Sequence, residues 1–114
     1  MRPFLGALGI ASFGLCLSAP AMAAKNDDGV SWLHAQVRVG NKVCFVDHTH
    51  QGNSSGQASK KAALAAAISD YQGFTGWEYG SAWGRFSLAA DKRVSCSGGP
   101  PWGCTVEARP CRRR

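Results

Sequence analysis

Ser59-Lys60-Lys61-Ala62-Ala63-Leu64-Ala65-Ala66-Ala67-Ile68-Ser69-Asp70-Tyr71 is the stretch on which the fold turns. Ser59 is a strong N-cap residue, and the alanine-rich run behind it has the highest helix propensity in the chain. Leu64, Ala67, Ile68 and Tyr71 recur at i, i+3, i+4 and i+7, which places them on one apolar face. Lys60 and Lys61 oppose the helix dipole by about 0.3 kcal/mol each, a misfit the alanines outweigh. The helix is expected from about residue 59 to 72. Gly73 and Gly76 then weaken it by about 1 kcal/mol each relative to alanine. Yet Tyr71, Thr75 and Tyr79 keep the four-residue step and Gly80 stands where a terminating glycine belongs, so a continuation or a second short turn to 79 is expected.

On either side of this helix the pattern changes to a period of two. Leu33, Ala35, Val37 and Val39 alternate with His34, Gln36 and Arg38, Gly40-Asn41 tolerates a tight turn, and Lys42 to Val46 follows as a second strand. In such a hairpin Val39 faces Lys42, Val37 faces Cys44 and Ala35 faces Val46. Cys44 and Val46 are then expected inside and Phe45 outside. Residues 47–58 are rich in glycine and small polar groups and read as a loop. After the helix a strand is expected from about Arg85, and Lys92–Cys96 and Gly103–Ala108 read as a second hairpin around Ser97-Gly98-Gly99-Pro100-Pro101-Trp102. Val94, Cys96, Cys104, Val106 and Ala108 alternate so that all five can face the helix. The expected fold class is α+β: a small antiparallel sheet in ββαβββ order, one main helix on one face, and disulfide staples.

The chain has 114 residues, 13 basic against 7 acidic, for a formal net charge of +6. Its first residues read as a secretory signal: Arg2, an apolar stretch from Phe4 to Leu17, and Ala21-Met22-Ala23 as the small-residue cleavage site. Residues 1–23 are expected to be removed after Ala23 and to direct the protein to the periplasm or the medium. The apolar stretch is shorter than the roughly 20 residues a membrane helix needs, so no transmembrane anchor is expected. Residues 24–31 read as a flexible N-terminal lead, 32–111 as a single small domain and 112–114 as a basic C-terminal tail.

Cys16 leaves with the signal, and Cys44, Cys96, Cys104 and Cys111 remain. An even count in a small exported chain reads as two disulfides. Three connectivities are open. Strand geometry favours Cys96 with Cys104, neighbours across a short turn, and Cys44 with Cys111, tying the first hairpin to the chain end. A zinc site is disfavoured because no close C-x₂-C pair occurs.

No catalytic or nucleotide-binding pattern stands out. Ser54 and Ser55 lack a nucleophile elbow, and Glu78 lacks a second carboxylate at a telling spacing. An enzyme is therefore not expected, nor is a cofactor. Asp47-His48-Thr49-His50 is the one cluster with metal-ligand types close together, because an extended chain puts His48 and His50 on the same side with Asp47 in support. Arg112, Arg113 and Arg114 form a basic end suited to an anionic surface. Of the aromatics, Trp77, Tyr79, Trp83 and Phe86 are expected mostly in the core. Trp102, at a turn tip, is a candidate contact residue that packing over the hairpin would also explain. No interleaved aromatic and basic motif points to nucleic acid. An exposed edge strand leaves pairing with a second chain open.

Four runs carry a wider resemblance: Cys44-Phe45-Val46-Asp47-His48-Thr49-His50, Ser59-Lys60-Lys61-Ala62-Ala63, the segment from Trp77 through Tyr79-Gly80 and Trp83 to Phe86, and the ending from Cys104 through Glu107-Ala108-Arg109-Pro110 to Cys111. Together they resemble a family of small exported, cysteine-containing bacterial proteins of unassigned function. The resemblance implies export and a cysteine-stapled domain and brings no catalytic residues. The reading that follows is a non-enzymatic binding or structural module of the periplasm or cell envelope, its partner an envelope protein, a glycan or an anionic surface. The alternative is a periplasmic metal-binding protein using residues 47–50.

Overall fold

Ser59 caps the helix: its side chain accepts from the Ala62 backbone N–H, and α1 runs unbroken through Lys60–Tyr79 to Gly80. The computed structural model describes residues 29–114, so the expected signal and residues 24–28 of the lead lie outside the described residues. Along α1 the fully buried residues are Ala63, Ala67, Tyr71, Thr75 and Tyr79, one every four positions. At about 100° per residue such a row drifts by roughly 40° per step and winds around the helix. Its two ends therefore face different partners, and the described residues form two apolar clusters instead of one.

The strands divide accordingly. β1 (Gln36–Val39), β2 (Lys42–Phe45) and β6 (Cys111–Arg113) form one antiparallel sheet in the order β1-β2-β6. β3 (His50–Asn53), β5 (Cys104–Arg109) and β4 (Ala90–Cys96) form the other, in the order β3-β5-β4. Short 3₁₀ turns span Val30–Leu33, Ser81–Trp83 and Phe86–Leu88. The larger cluster joins Ala63, Ala67 and Tyr71 of α1 to Cys104, Val106 and Ala108 of β5, with Phe86 and Ala89 closing one side. The smaller one joins Tyr79 to Phe45 and Trp83, whose rings stack at 4.3 Å. Arg109 ties the sheets together: Nη1 donates to the Phe45 carbonyl at 3.0 Å while Nε pairs with Asp91.

The α+β class, the single main helix and two disulfides are present; the details depart from the expected ββαβββ sheet in several places. The 47–58 segment contains β3, a strand whose Gly52 lies flat on the helix: a Cβ there would sit 2.1 Å from the Ala67 carbonyl oxygen. The strand expected near Arg85 begins at Ala90, after a 3₁₀ turn. Leu33 belongs to a 3₁₀ turn with buried Ser31, so the expected lead is structured from Val30. The first hairpin has the expected register, Val39 to Lys42 and Val37 to Cys44. Its burial is reversed at one point, because Phe45 is fully buried in the aromatic cluster while Val46 is exposed. Val94 pairs with Val106 but is exposed, since β4 is an edge strand that α1 covers only in small part. Residues 112–114 are not a free tail, for Arg112 and Arg113 lie in β6, opposite Val43 and Lys42.

Both disulfides join residues directly opposite on neighbouring strands, Cys44 with Cys111 across β2 and β6, and Cys96 with Cys104 across β4 and β5. Among the described residues, no helix is long and apolar enough to cross a membrane.

Candidate functional site

The chain has three histidines, and all three meet at the C-terminal end of α1. His34 leads into β1, His48 precedes β3 and His50 begins it. Their rings step across the cluster at centroid distances of 4.5 Å for His34 to His48 and 5.1 Å for His48 to His50. Tyr79 stands in the middle, with its ring edge-on to both His34 and His48. Its hydroxyl is 2.8 Å from His50 Nε2 and also hydrogen-bonded to His48 Nε2.

The neighbours fix the direction of these bonds. Glu78 Oε2 lies 3.2 Å from His50 Nε2, and a carboxylate only accepts, so Nε2 carries the proton. His50 Nδ1 then accepts from the Thr75 hydroxyl at 3.2 Å. Tyr79 receives from His50 and donates its own proton to His48. The chain Thr75 → His50 → Tyr79 → His48 thus runs from the buried helix face outward, with Glu78 as a second acceptor at His50. Burial is the main cause that lowers the pKa of His48, and a neighbouring charge on His34 lowers it further against the opposing pull of Glu78. Burial also dominates at His50, whose pKa is lowered despite Glu78, with His48 and His34 adding to the downward shift. The Tyr79 phenol is pushed up, by burial first and then by the Glu78 charge. Both imidazoles are therefore neutral near pH 7, as the bond directions require.

This arrangement differs from the metal site expected of Asp47, His48 and His50. The histidines do converge, but on the Tyr79 hydroxyl, which occupies the point where a shared ion would sit. Asp47 is exposed. Among the described residues no group of three histidine, cysteine, aspartate or glutamate side chains is placed to hold a metal ion. His34 and Tyr79 were the members that residue spacing did not indicate, since they are remote in sequence from the 47–50 run.

Trp102, expected as a possible contact at the turn tip, is half-buried against the larger cluster, and its backbone exchanges hydrogen bonds with Gln57 at 2.8 and 2.9 Å. Packing over the hairpin accounts for it. The exposed tryptophan is instead Trp77, expected in the core, together with Trp32 near the N-terminus. Ser54 is structural: its hydroxyl donates to the Ala63 carbonyl and accepts from the Cys104 N–H.

The arginines at the chain end gather into a second feature. Arg113 lines two adjoining clefts, one of about 290 Å³ with Ser81, Ala82, Arg85 and Leu88, the other of about 390 Å³ with Asn41, Lys42, Leu88 and Arg114. Leu88 and Arg113 are common to both. Among the described residues no carboxylate side chain lines either cleft. Lys42 and Arg113 are opposed across β2 and β6, a like-charged pair that costs rather than contributes stability. Lys42 Nζ is drawn to the Leu88 carbonyl at 2.8 Å, while Arg112 lies over the Trp83 ring at 5.6 Å. Comparison with protein-family models, with curated proteins and with solved structures finds no match to this chain.

Proposed function

We propose that the protein is an exported, non-enzymatic binding module that attaches to an anionic surface or polymer of the cell envelope through the edge formed by Lys42, Arg85, Arg113 and Arg114. The carrying observation is that these four cations line adjoining clefts with no carboxylate among the described lining residues, although opposing Lys42 to Arg113 opposes folding. A surface assembled at a cost to stability has a use outside the fold. Arginine suits the task, since its planar fork binds phosphate and carboxylate in two-point contact.

Export is supported by the signal-like residues 1–23, by the resemblance to exported cysteine-containing proteins, and by two disulfides, which persist in oxidising compartments. A binding rather than a catalytic role is supported by the histidine cluster itself. Its Tyr79 hydroxyl and His50 ring are buried and engaged with one another instead of being turned towards a substrate.

Co-sedimentation with phosphatidylglycerol vesicles, against phosphatidylcholine vesicles, tests the proposal. Binding is expected only to the anionic vesicles, falling as salt screens the charges, and lost in an Arg85→Ser/Arg113→Ser double variant that melts at or above the wild-type temperature, since the Lys42–Arg113 repulsion is gone. Equal binding to both vesicles, or retention by the double variant, overturns it.

A further inference from the structure

On the outer side of α1 lies an open groove of about 760 Å³, bounded by the helix and by the segment that follows β3. Two features of it have no explanation in packing. Trp77 is 81% exposed, the most exposed of the large apolar side chains among the described residues. Gly73 weakens the middle of the helix, yet a Cβ at that position would meet nothing within 4 Å. A helical glycine where no neighbour needs the space, beside an indole that no core receives, marks a floor and a wall for something that comes from outside.

The chemistry around them is specific. Phe74 stacks on His50 at 5.1 Å, and Trp77 on Phe74 at 6.2 Å, so the exposed indole belongs to a supported aromatic row. Asp70 holds the Asn53 backbone N–H at 2.8 Å through one carboxylate oxygen, which leaves the other for a ligand. The Asn53 carbonyl oxygen is fixed by the Thr105 hydroxyl at 2.9 Å, which orients the amide and leaves its NH₂ as a donor. Ser69 adds a hydroxyl to the lining. Among the described residues no cation lines the groove and Asp70 is its one carboxylate, so it repels the polyanions that the arginine edge attracts.

We propose that this groove is a binding site for a neutral sugar ring, stacked on Trp77 above Gly73 and hydrogen-bonded by Asp70 and Asn53. A pyranose presents an apolar C–H face and a rim of hydroxyls that both donate and accept. An indole flanked by a carboxylate oxygen and an amide NH₂ matches both parts. The site is separate from the arginine edge and stands or falls without it.

The test is a two-dimensional NMR titration of the full mature chain with chito- and cello-oligosaccharides, alongside heparin and a proline-rich peptide as comparators. The neutral oligosaccharides are expected to shift the Trp77 indole resonance and those of residues 69–74. Trp77→Ala should weaken them by about tenfold or more, while its melting temperature stays near wild type. Gly73→Ala supplies the sharper arm, because it should raise the melting temperature and weaken sugar binding together, a combination that a purely structural glycine does not give. The proposal is overturned if no neutral sugar perturbs Trp77, if the peptide binds the groove in place of the sugars, or if Gly73→Ala binds sugar as the wild type does.

Discussion

The Tyr79 hydroxyl lies 2.8 Å from Nε2 of His50, and that contact joins the last turn of α1 to the first residue of β3. It is one link of a directed chain in which His50 donates to Tyr79 and Tyr79 donates to His48. Tyr79→Phe removes one hydroxyl and keeps the ring packed against Phe45 at 4.7 Å. His50 Nε2 retains Glu78, whereas His48 loses its donor. A destabilisation of about 1–2 kcal/mol is expected, measured by chemical denaturation. The His48 ring resonances should move in the same variant, because its Nε2 turns to water.

The lowered pKa values of His48 and His50 set the sign of an acid-side effect. Burial is the chief cause in both. Their folded values lie below the unfolded value of about 6.5, so the unfolded chain takes up protons first as pH falls. The stability tied to the neutral rings is complete above that value and is lost progressively through the lowered folded pKa values. Thermal melts from pH 7.5 to 4.5 should show a decline setting in below about pH 6.5. His48→Gln/His50→Gln should flatten that part of the profile, and an unchanged slope in the double variant contradicts the assignment.

The two disulfides differ in how much chain they close, with sequence separations of 67 for Cys44–Cys111 and 8 for Cys96–Cys104. The chain-entropy model credits them with about 4.4 and about 2.5 kcal/mol. Replacing Cys44 and Cys111 by alanine is expected to cost the more of the two in guanidinium denaturation. It should also loosen β6, which among the described strands pairs only with β2, and so spread the arginine edge. Loss of anionic-vesicle binding in this variant, but not in the Cys96→Ala/Cys104→Ala variant, is the expected pattern.

What the sequence made legible was local. The helix, its cap, the register of the first hairpin and the Cys96–Cys104 pairing follow from short-range signals and are found; Cys44–Cys111 was then the pair left over, and it is found too. β3 was not legible, because His50-Gln51-Gly52-Asn53 has no β-branched residue and becomes a strand only by pairing with β5. Phe45 and Val46 were exchanged because alternation shows which residues share a face and not which face is covered. Covering Phe45 depends on Trp83, thirty-eight positions on. The meeting of His34 with His48, His50 and Tyr79 is non-local in the same way. Trp77 was legible in principle, since it stands two positions from both Thr75 and Tyr79, about 200° around the helix from each, on the side away from the buried row.

The reversal at Phe45 and Val46 makes a direct prediction. Phe45 is fully buried, stacked on Trp83 and edge-on to Tyr79, whereas Val46 is 41% exposed. Phe45→Ala should cost about 3–5 kcal/mol, and Val46→Ala should cost under about 1 kcal/mol. Equal effects in urea denaturation are incompatible with a second core at that place.

Gly52 offers the strictest test of how β3 sits on the helix. A Cβ there would lie 2.1 Å from the Ala67 carbonyl oxygen and 2.5 Å from the Tyr71 backbone nitrogen. Both are backbone atoms of a helix whose hydrogen bonds hold them in place, so neither can swing aside as a long side chain does. Gly52→Ala must push β3 off α1, and a loss of about 3 kcal/mol or more is expected. His50 lies two residues away on the same face of that strand, so the displacement should also lengthen its bonds to Thr75 and Tyr79 and return its pKa towards the ordinary histidine value. Gly98→Ala is the control, because a Cβ there meets nothing within 4 Å, and it should leave both the stability and the His50 titration unchanged. A Gly52→Ala protein as stable as wild type, with His50 titrating as before, means that the strand does not approach the helix this closely.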